Sequence, residues 1–148
     1  MIHWHLRDVT EVESDAYLTL SRENMMPYFE ALNIPWDQEE RRYFREQALL
    51  QKIIDTASDT TLGYLLLFSE MDRLYIYDLQ LHKKARKQKL GSEVLKHLIN
   101  KAKAENKNLR LGTFKINPAT NLYLRLGFKI IKTNEIFNWF QFDVNGFK

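Results

Sequence analysis

The sequence of 148 residues lacks cysteine, which excludes disulfide bonds, thiolate chemistry and cysteine-ligated metal sites. It also lacks a run of about eighteen apolar residues, and its first residues are too polar for a secretory signal. Linkers, internal repeats and low-complexity tracts are missing as well, and the length suits a single domain over residues 1–148. We therefore expect a soluble, cytoplasmic protein with its own hydrophobic core and no membrane partner.

Charge is distributed unevenly along the chain, although the net formal charge is only +3. Residues 1–74 carry 14 acidic and 7 basic side chains, whereas residues 75–148 carry 5 acidic and 15 basic ones. A basic half favours a polyanionic ligand, and phosphate groups are the anions we expect first. The alternative is a solubilising surface of uneven charge.

Hydrophobic periodicity divides the chain into segments of strand and helix. Predicted strands cover residues 3–9, 51–56, 62–69, 74–82, 109–115, 128–132 and 137–144. Predicted helices cover residues 10–33, 37–50, 91–105 and 117–126, with Ser14 as an N-cap, an interruption at Pro27 and Gly127 as a C-terminal stop. This order predicts an α+β fold in which helices lie on the faces of one mixed sheet.

The segment RKQKLGSEVLKHLINKA, residues 86–102, places a glycine and positive charge where a helix begins. One apolar stripe recurs every four residues, at Leu90, Val94, Leu98 and Ala102. A helix N-terminus offers unpaired N–H groups and the positive end of the helix dipole, and Gly91 lets a ligand approach the backbone. The segment therefore favours a phosphate-bearing ligand, with a solvated basic loop before a surface helix as the alternative.

Two motifs resemble those of the GNAT superfamily of N-acetyltransferases. Residues 86–91, RKQKLG, fit the ends of that family's acetyl-CoA signature, [QR]-x-x-G-x-[GA], and lie between a predicted strand and a helix. Lys89 stands where the family usually has glycine, and Lys87 stands where many members have it. Residues 117–128, NPATNLYLRLGF, resemble the family segment N-x-x-A-x-x-[LF]-Y-x-x-x-G-F, and we interpret Asn, Ala, Leu, Tyr, Gly and Phe as matching it in register.

The resemblance implies a GNAT-like mixed, mostly antiparallel sheet of about seven strands with about four helices, and acetyl-CoA as the co-substrate. Backbone groups of Leu79 and Leu81 would pair with the pantetheine arm as an added strand would. The loop and helix start would hold the pyrophosphate, through Arg86, Lys87, Gln88, Lys89, Leu90, Gly91 and Ser92. Asn117 would contact the cofactor arm, cap the following helix, or do both.

The resemblance also suggests catalytic roles for two residues. Tyr123 matches the tyrosine proposed as the general acid that protonates the departing thiolate, and a packed core tyrosine is the alternative. Asp78 is the candidate general base, because related sequences often carry glutamate there; a plain polar residue on a half-exposed strand is the alternative. His3 and His5 have no carboxylate or cysteine near them in sequence, so we expect no metal site.

The acceptor would be a small-molecule or peptide amine, and the acidic first half favours a cationic one. Its site would be lined by side chains of the first two helices and the last strands, namely Tyr17, Met25, Tyr28, Phe29, Trp36, Phe137 and Trp139, most of which would equally suit a core. Phe137, Trp139 and Phe140 of the last strand would either form the edge of a homodimer or belong to the core.

Three classes of function follow from these features. The leading hypothesis is an N-acetyltransferase that works by direct attack of a primary amine in a ternary complex. The alternative is a non-catalytic sensor or partner module that binds acyl-CoA on the same fold. Nucleic-acid binding is disfavoured, because the basic stretch at residues 83–89 has no interleaved aromatic residue.

Overall fold

The computed structural model describes residues 2–86 and 89–145, which form seven strands, four α-helices and two 3₁₀ turns. The strands are β1 (Trp4–Asp8), β2 (Leu49–Asp55), β3 (Thr61–Ser69), β4 (Arg73–Leu81), β5 (Asn108–Phe114), β6 (Lys129–Thr133) and β7 (Phe137–Phe142). The helices are α1 (Ser14–Ala31), α2 (Gln38–Gln47), α3 (Leu90–Glu105) and α4 (Thr120–Arg125), and the 3₁₀ turns are Glu11–Glu13 and Lys83–Ala85. The predicted α+β class is confirmed.

The strands form one sheet in the order β1-β2-β3-β4-β5-β7-β6. Strands β4 and β5 pair in parallel, from Arg73 opposite Asn108 to Ile76 opposite Leu111. This pairing is parallel because α3 carries the chain back between the two strands. The pairs β1–β2, β2–β3, β5–β7 and β6–β7 are antiparallel, so the sheet is mixed and mostly antiparallel, as predicted.

The chain forms two compact units, each with buried apolar side chains of its own. The first comprises Met1–Phe68 and Tyr77–Gly91, and its core cluster contains Tyr17, Leu18, Leu20, Leu50, Tyr64 and Leu66. The second comprises Ser69–Ile76 and Ser92–Lys148, and its most buried side chains include Val94, Leu98, Ala102, Leu109 and Phe140. The apolar stripe predicted along residues 90–102 is therefore buried, and Phe140 belongs to the interior and not to an exposed dimer edge.

Two predicted features of the first helices are wrong. Ser14 does not cap α1; it lies within the helix, and its hydroxyl donates to the carbonyl oxygen of Glu11 at 2.8 Å. Pro27 does not interrupt α1, which continues to Ala31, because the buried face of the helix outweighs the backbone hydrogen bond that proline cannot make. None of the described helices has the length and apolar character needed to cross a membrane.

The second helix is also shorter than predicted. The sequence suggests a helix over residues 37–50, but α2 ends at Gln47 and β2 begins at Leu49. Asp37 caps its start by accepting a hydrogen bond from the Glu40 N–H at 3.0 Å. Leu50 pairs with Leu66 of β3, so long-range pairing in the sheet, rather than local helix propensity, decides the conformation there.

Candidate functional site

Asp78, the predicted general base, lies on β4 and accepts three side-chain hydrogen bonds in the first unit. Its Oδ2 accepts from the hydroxyl groups of Tyr17 and Ser21, both at 2.8 Å. Its Oδ1 accepts from Nε2 of Gln80 at 2.6 Å. A carboxylate offers about four acceptor positions. The three donors therefore fill both positions on Oδ2 and one on Oδ1, which leaves room for one more donor.

The donors on α1 are fixed in the protonated state. Tyr17 is only 1% exposed, and burial, followed by the neighbouring Asp78 carboxylate, raises its pKa well above the ordinary value for tyrosine. Ser21 is fully buried. Both hydroxyl groups therefore donate to Asp78 throughout the neutral pH range, and the carboxylate is held in one orientation.

The side-chain amide of Asn24 extends this network from Gln80 toward the predicted phosphate loop, which begins at Arg86. Nδ2 of Asn24 donates to Oε1 of Gln80 at 3.0 Å and to the carbonyl oxygen of Leu81 at 3.1 Å. Oδ1 of Asn24 accepts from Nη2 of Arg86. Side chains of α1 thus connect the candidate base to an arginine of the predicted phosphate loop.

Strand β4 also presents the backbone groups predicted to meet the pantetheine arm. The His82 N–H donates to the carbonyl oxygen of Leu62, at the start of β3, at 2.8 Å. Because backbone groups alternate along a strand, those of Leu79 and Leu81 face the strand's other edge. The Leu81 carbonyl already accepts from Asn24, so its N–H and both backbone groups of Leu79 are the ones suited to such a ligand.

The predicted phosphate loop is described in part, since Lys87 and Gln88 lie outside the described residues. Lys89 has a φ of 61°, in the left-handed region that glycine adopts most easily. This conformation explains why a glycine is usual at this position in the family signature. The loop keeps its shape with lysine, at a cost of about 1–2 kcal/mol.

Gly91 and Ser92 lie in the first turn of α3. A Cβ added at Gly91 would find, among the described residues, only the Leu81 Cδ1 atom within 4 Å, at an ordinary contact distance of 3.8 Å. The packing of the protein therefore does not require glycine at this position. The bare backbone there fits the close approach of a pyrophosphate to the helix start.

In the second unit, Asn117 organises the turn before α4. Its Oδ1 accepts from the Ala119 N–H at 2.9 Å, and its Nδ2 donates to the hydroxyl group of Thr113 at 3.0 Å. Because this turn occupies residues 117–119, α4 begins at Thr120 and not at Asn117 as predicted. The side chain therefore has a structural role, which is one of the two roles predicted for it.

Tyr123 lies within α4, and Gly127 follows the last residue of that helix by two positions. The Tyr123 ring is half-buried, with its centroid 5.3 Å from that of Phe140 and 6.1 Å from that of Phe128. Gly127 has a φ of 100°, its N–H donates to the carbonyl oxygen of Leu124, and the Phe128 N–H donates to that of Tyr123. This double hydrogen bond is a Schellman motif, so the predicted glycine stop is confirmed.

Three buried polar residues in the described part of the chain belong to the site but were not predicted from the sequence. They are Ser21, Gln80 and Thr113, and each binds a predicted site residue, either Asp78 or Asn117. One signal was available, since Tyr17, Ser21 and Asn24 follow a helical spacing of four and three residues and so share one face of α1. Their partners on β4 lie 56 to 61 residues away, and Arg86 lies 62 residues from Asn24, distances in sequence that periodicity cannot reveal.

One sequence match needs correction. In the family segment the asparagine precedes the alanine by three residues, but Asn117 precedes Ala119 by two. The remaining matches, from Ala119 to Phe128, keep the family spacing. Asn117 is therefore shifted by one residue relative to the family asparagine, and its assignment rests on the contacts described above.

Comparison with known proteins gives a consistent result. Residues 13–128 match the sequence model of the acetyltransferase (GNAT) family. No curated protein sequence matches the chain. Among solved structures, the chain resembles a GNAT family acetyltransferase from Elizabethkingia anophelis with acetyl-CoA bound, at 17% identity and a TM-score of 0.68, over 95% of this chain and 97% of that one.

Two further structures are similar to the same extent. The ribosomal-protein-S18-alanine N-acetyltransferase from Escherichia coli has 17% identity and a TM-score of 0.70, over 96% of this chain and 94% of that one. The PaiA N-acetyltransferase from Thermoplasma acidophilum, in complex with coenzyme A, has 15% identity and a TM-score of 0.70, over 96% and 99%. At these identities the likeness shows the fold alone.

Proposed function

This chain belongs to the GNAT acetyltransferase family, and from that membership we propose that it is an N-acetyltransferase that uses acetyl-CoA as its co-substrate. The chain would act as one domain and transfer the acetyl group to a primary amine in a ternary complex. The observation that carries the proposal is the placement of the buried polar side chains. Each buried polar side chain in the described part of the protein forms a hydrogen bond to Asp78 or to Asn117, two residues that the sequence predicts to take part in this chemistry.

The residues of the chain fit the co-substrate at its phosphate end. Backbone N–H groups at Lys89–Ser92 and the guanidinium of Arg86 would bind the pyrophosphate, since helix starts and arginine both suit phosphate oxygens. Lys87 and Gln88 are assigned to the same role from the sequence. Backbone groups of Leu79 and Leu81 would align the pantetheine arm along β4.

The thioester supplies an activated acetyl group, and the protein would supply orientation and proton transfer. Asp78 would use its remaining acceptor position to bind the acceptor's amino group and remove a proton as the nitrogen attacks the carbonyl carbon. A C–N bond forms and the C–S bond breaks. Tyr123 would donate its phenolic proton to the departing sulfur, and Asn117 would fix the turn that leads into the helix bearing Tyr123.

The acceptor class follows from charge and from the relatives. The N-acetyltransferases that share the fold are named for amine acetylation, in one case of an alanine of a ribosomal protein. The first half of this chain carries twice as many acidic as basic side chains, which favours the approach of a cationic amine. We therefore propose a small-molecule or peptide amine as the acceptor.

The first test is thermal unfolding of the protein with acetyl-CoA, free CoA or ATP. A ligand that binds only the folded state raises the free energy of unfolding by about 2.7 kcal/mol at one hundred times its Kd, which corresponds to several degrees. We expect both CoA species to raise the Tm and ATP not to raise it. The proposal fails if neither CoA species does.

A matched variant, Gly91→Ala, separates ligand binding from stability. Alanine favours a helix by up to about 1 kcal/mol over glycine, and the added methyl group has an ordinary contact only. We expect the Tm of the free protein to stay or rise while the shift caused by CoA shrinks. An unchanged shift would contradict the phosphate-loop assignment.

Catalysis is tested separately from binding. With an amine panel and acetyl-CoA, an enzyme releases free thiol, and Asp78→Asn and Tyr123→Phe should slow that release while CoA still stabilises both variants. A protein that binds CoA but releases no thiol with any amine of the panel would favour the sensor hypothesis.

A further inference from the structure

The amide of Asn24 forms hydrogen bonds with three residues on two segments of the first unit, the end of β4 and the residue that follows the 3₁₀ turn. Its two N–H bonds point to the side chain of Gln80 and to the main chain of Leu81, and its oxygen accepts from Arg86. These contacts also fix which end of the amide is oxygen, since the carbonyl of Leu81 can only accept and the guanidinium of Arg86 can only donate. Asn24 is therefore held in a single orientation.

The hydrogen bond to Asn24 restricts the conformation of the Arg86 side chain. Arg86 is exposed and follows the 3₁₀ turn Lys83–Ala85, and its own N–H donates to the carbonyl oxygen of Lys83 at 3.3 Å. An exposed arginine normally samples many rotamers, and ordering it on a ligand costs conformational entropy. The bond to Asn24 uses one of the five guanidinium N–H groups and leaves four for an anion.

The contacts form one unbroken chain between the two predicted functions of the site. From Arg86 it runs through Asn24 and Gln80 to Asp78, which α1 also holds through Tyr17 and Ser21. The three residues of α1 lie on one face of that helix, so a single rigid element fixes both ends.

We propose that Asn24 is a positioning residue of the cofactor site, which orders Arg86 for the phosphate groups of CoA and ties it to the side chains that hold Asp78. This inference rests on the proposed function, because it takes Arg86 to be a phosphate ligand. The role is distinct from binding itself, since Asn24 acts through Arg86.

The test is a double-mutant cycle on CoA affinity, measured by titration calorimetry on the full chain. The variants are Asn24→Ala, Arg86→Ala and the pair of substitutions together. We expect Asn24→Ala alone to weaken CoA binding about tenfold and Arg86→Ala alone to weaken it about thirtyfold. In the Arg86→Ala background, removing Asn24 should change the Kd by less than about twofold, because the group it positions is gone.

The control variant is Thr19→Ala, an exposed position on the same helix, which should leave the Kd unchanged. If Asn24→Ala lowers the Tm of the free protein so far that binding cannot be measured, Asn24→Leu replaces it, since leucine is close to asparagine in length and better at forming helices. The same coupling to Arg86 is expected from that variant.

Equal losses of affinity from Asn24→Ala in both backgrounds would overturn the inference, because a residue that merely supports the fold acts independently of Arg86. An unchanged Kd in the single variant would overturn it as well. If the folded wild-type protein does not bind CoA, both the proposed function and this inference are wrong. If the wild type binds CoA and Arg86 and Asn24 show no coupling, only this inference falls.

Discussion

Asp78 and Asn117 are both polar residues fixed by hydrogen bonds, but they are fixed in opposite ways. Asp78 is held chiefly by hydroxyl groups from a helix 57 to 61 residues earlier in the chain. Asn117 is held by groups no more than four residues away, on Thr113 of β5 and in the turn that Asn117 begins. One arrangement exists only in the folded protein, whereas the other can form locally. The contrast separates what tertiary structure must provide from what a short sequence can encode.

The largest expected effect comes from Asp78→Ala. The substitution leaves the buried hydroxyl groups of Tyr17 and Ser21 without an acceptor, and each buried unpaired group costs about 1–3 kcal/mol. We expect the free energy of unfolding, measured in urea, to fall by about 3 kcal/mol. The control Asp72→Ala, in the exposed turn between β3 and β4, should cost less than about 0.5 kcal/mol. A loss below about 1 kcal/mol at Asp78 would show that the network contributes little to stability.

Asn117→Ala gives the matching measurement for the local arrangement. The substitution removes the bond to the Ala119 N–H and the one to Thr113, but the surrounding turn keeps its backbone hydrogen bonds. We expect a loss of about 1 kcal/mol in the same urea experiment. Asn121→Ala, at an exposed position of α4, is the control and should be neutral or slightly stabilising. If Asn117→Ala is as costly as Asp78→Ala, the distinction between distant and local support is wrong.

The same distinction explains how far the sequence could be interpreted. The motif at residues 117–128 could be recognised because its turn, helix and glycine stop are set by neighbouring residues, and the stop at Gly127 is confirmed. Asp78 could be predicted as the general base from its place in the family pattern. The hydroxyl groups of α1 that donate to it could not be predicted. Helical spacing shows that Tyr17, Ser21 and Asn24 share a face, yet nothing in the spacing names the strand that this face meets.

Boundaries failed for the same reason. Residues 48–50 continue a helical pattern in the sequence, but pairing of Leu49 and Leu50 with β3 converts them to strand. At Pro27 the prediction failed in the opposite direction, because local preference predicts a break where the helix continues. Burial of the apolar face of α1 keeps the helix intact there. In both places a distant contact decides a conformation that the local sequence disfavours.

The smallest expected effect is at Lys89, where a substitution tests whether a backbone conformation that local preference disfavours costs stability. Four non-glycine residues in the described part of the chain have a positive φ, and Asn33, Asp59 and Asn106 are of the types that tolerate it. Lys89 is not of those types, so its conformation runs against local preference. We expect Lys89→Gly to relieve this conflict and raise the free energy of unfolding by about 1 kcal/mol, and Asn33→Gly, the control, to raise it by less.

Titration of the Lys89→Gly variant with CoA then shows what the lysine contributes in exchange for that strain. The variant regains the family glycine but loses a cation beside the predicted phosphate site. Weaker binding in a more stable protein would mean that the charge of Lys89 serves the ligand and that the backbone strain is tolerated for it. Binding that is unchanged or tighter would mean that the loop needs only its shape, which the helix start and the tethered Arg86 already provide. If Lys89→Gly gains no more stability than Asn33→Gly, the left-handed conformation at Lys89 carries no strain beyond that at Asn33.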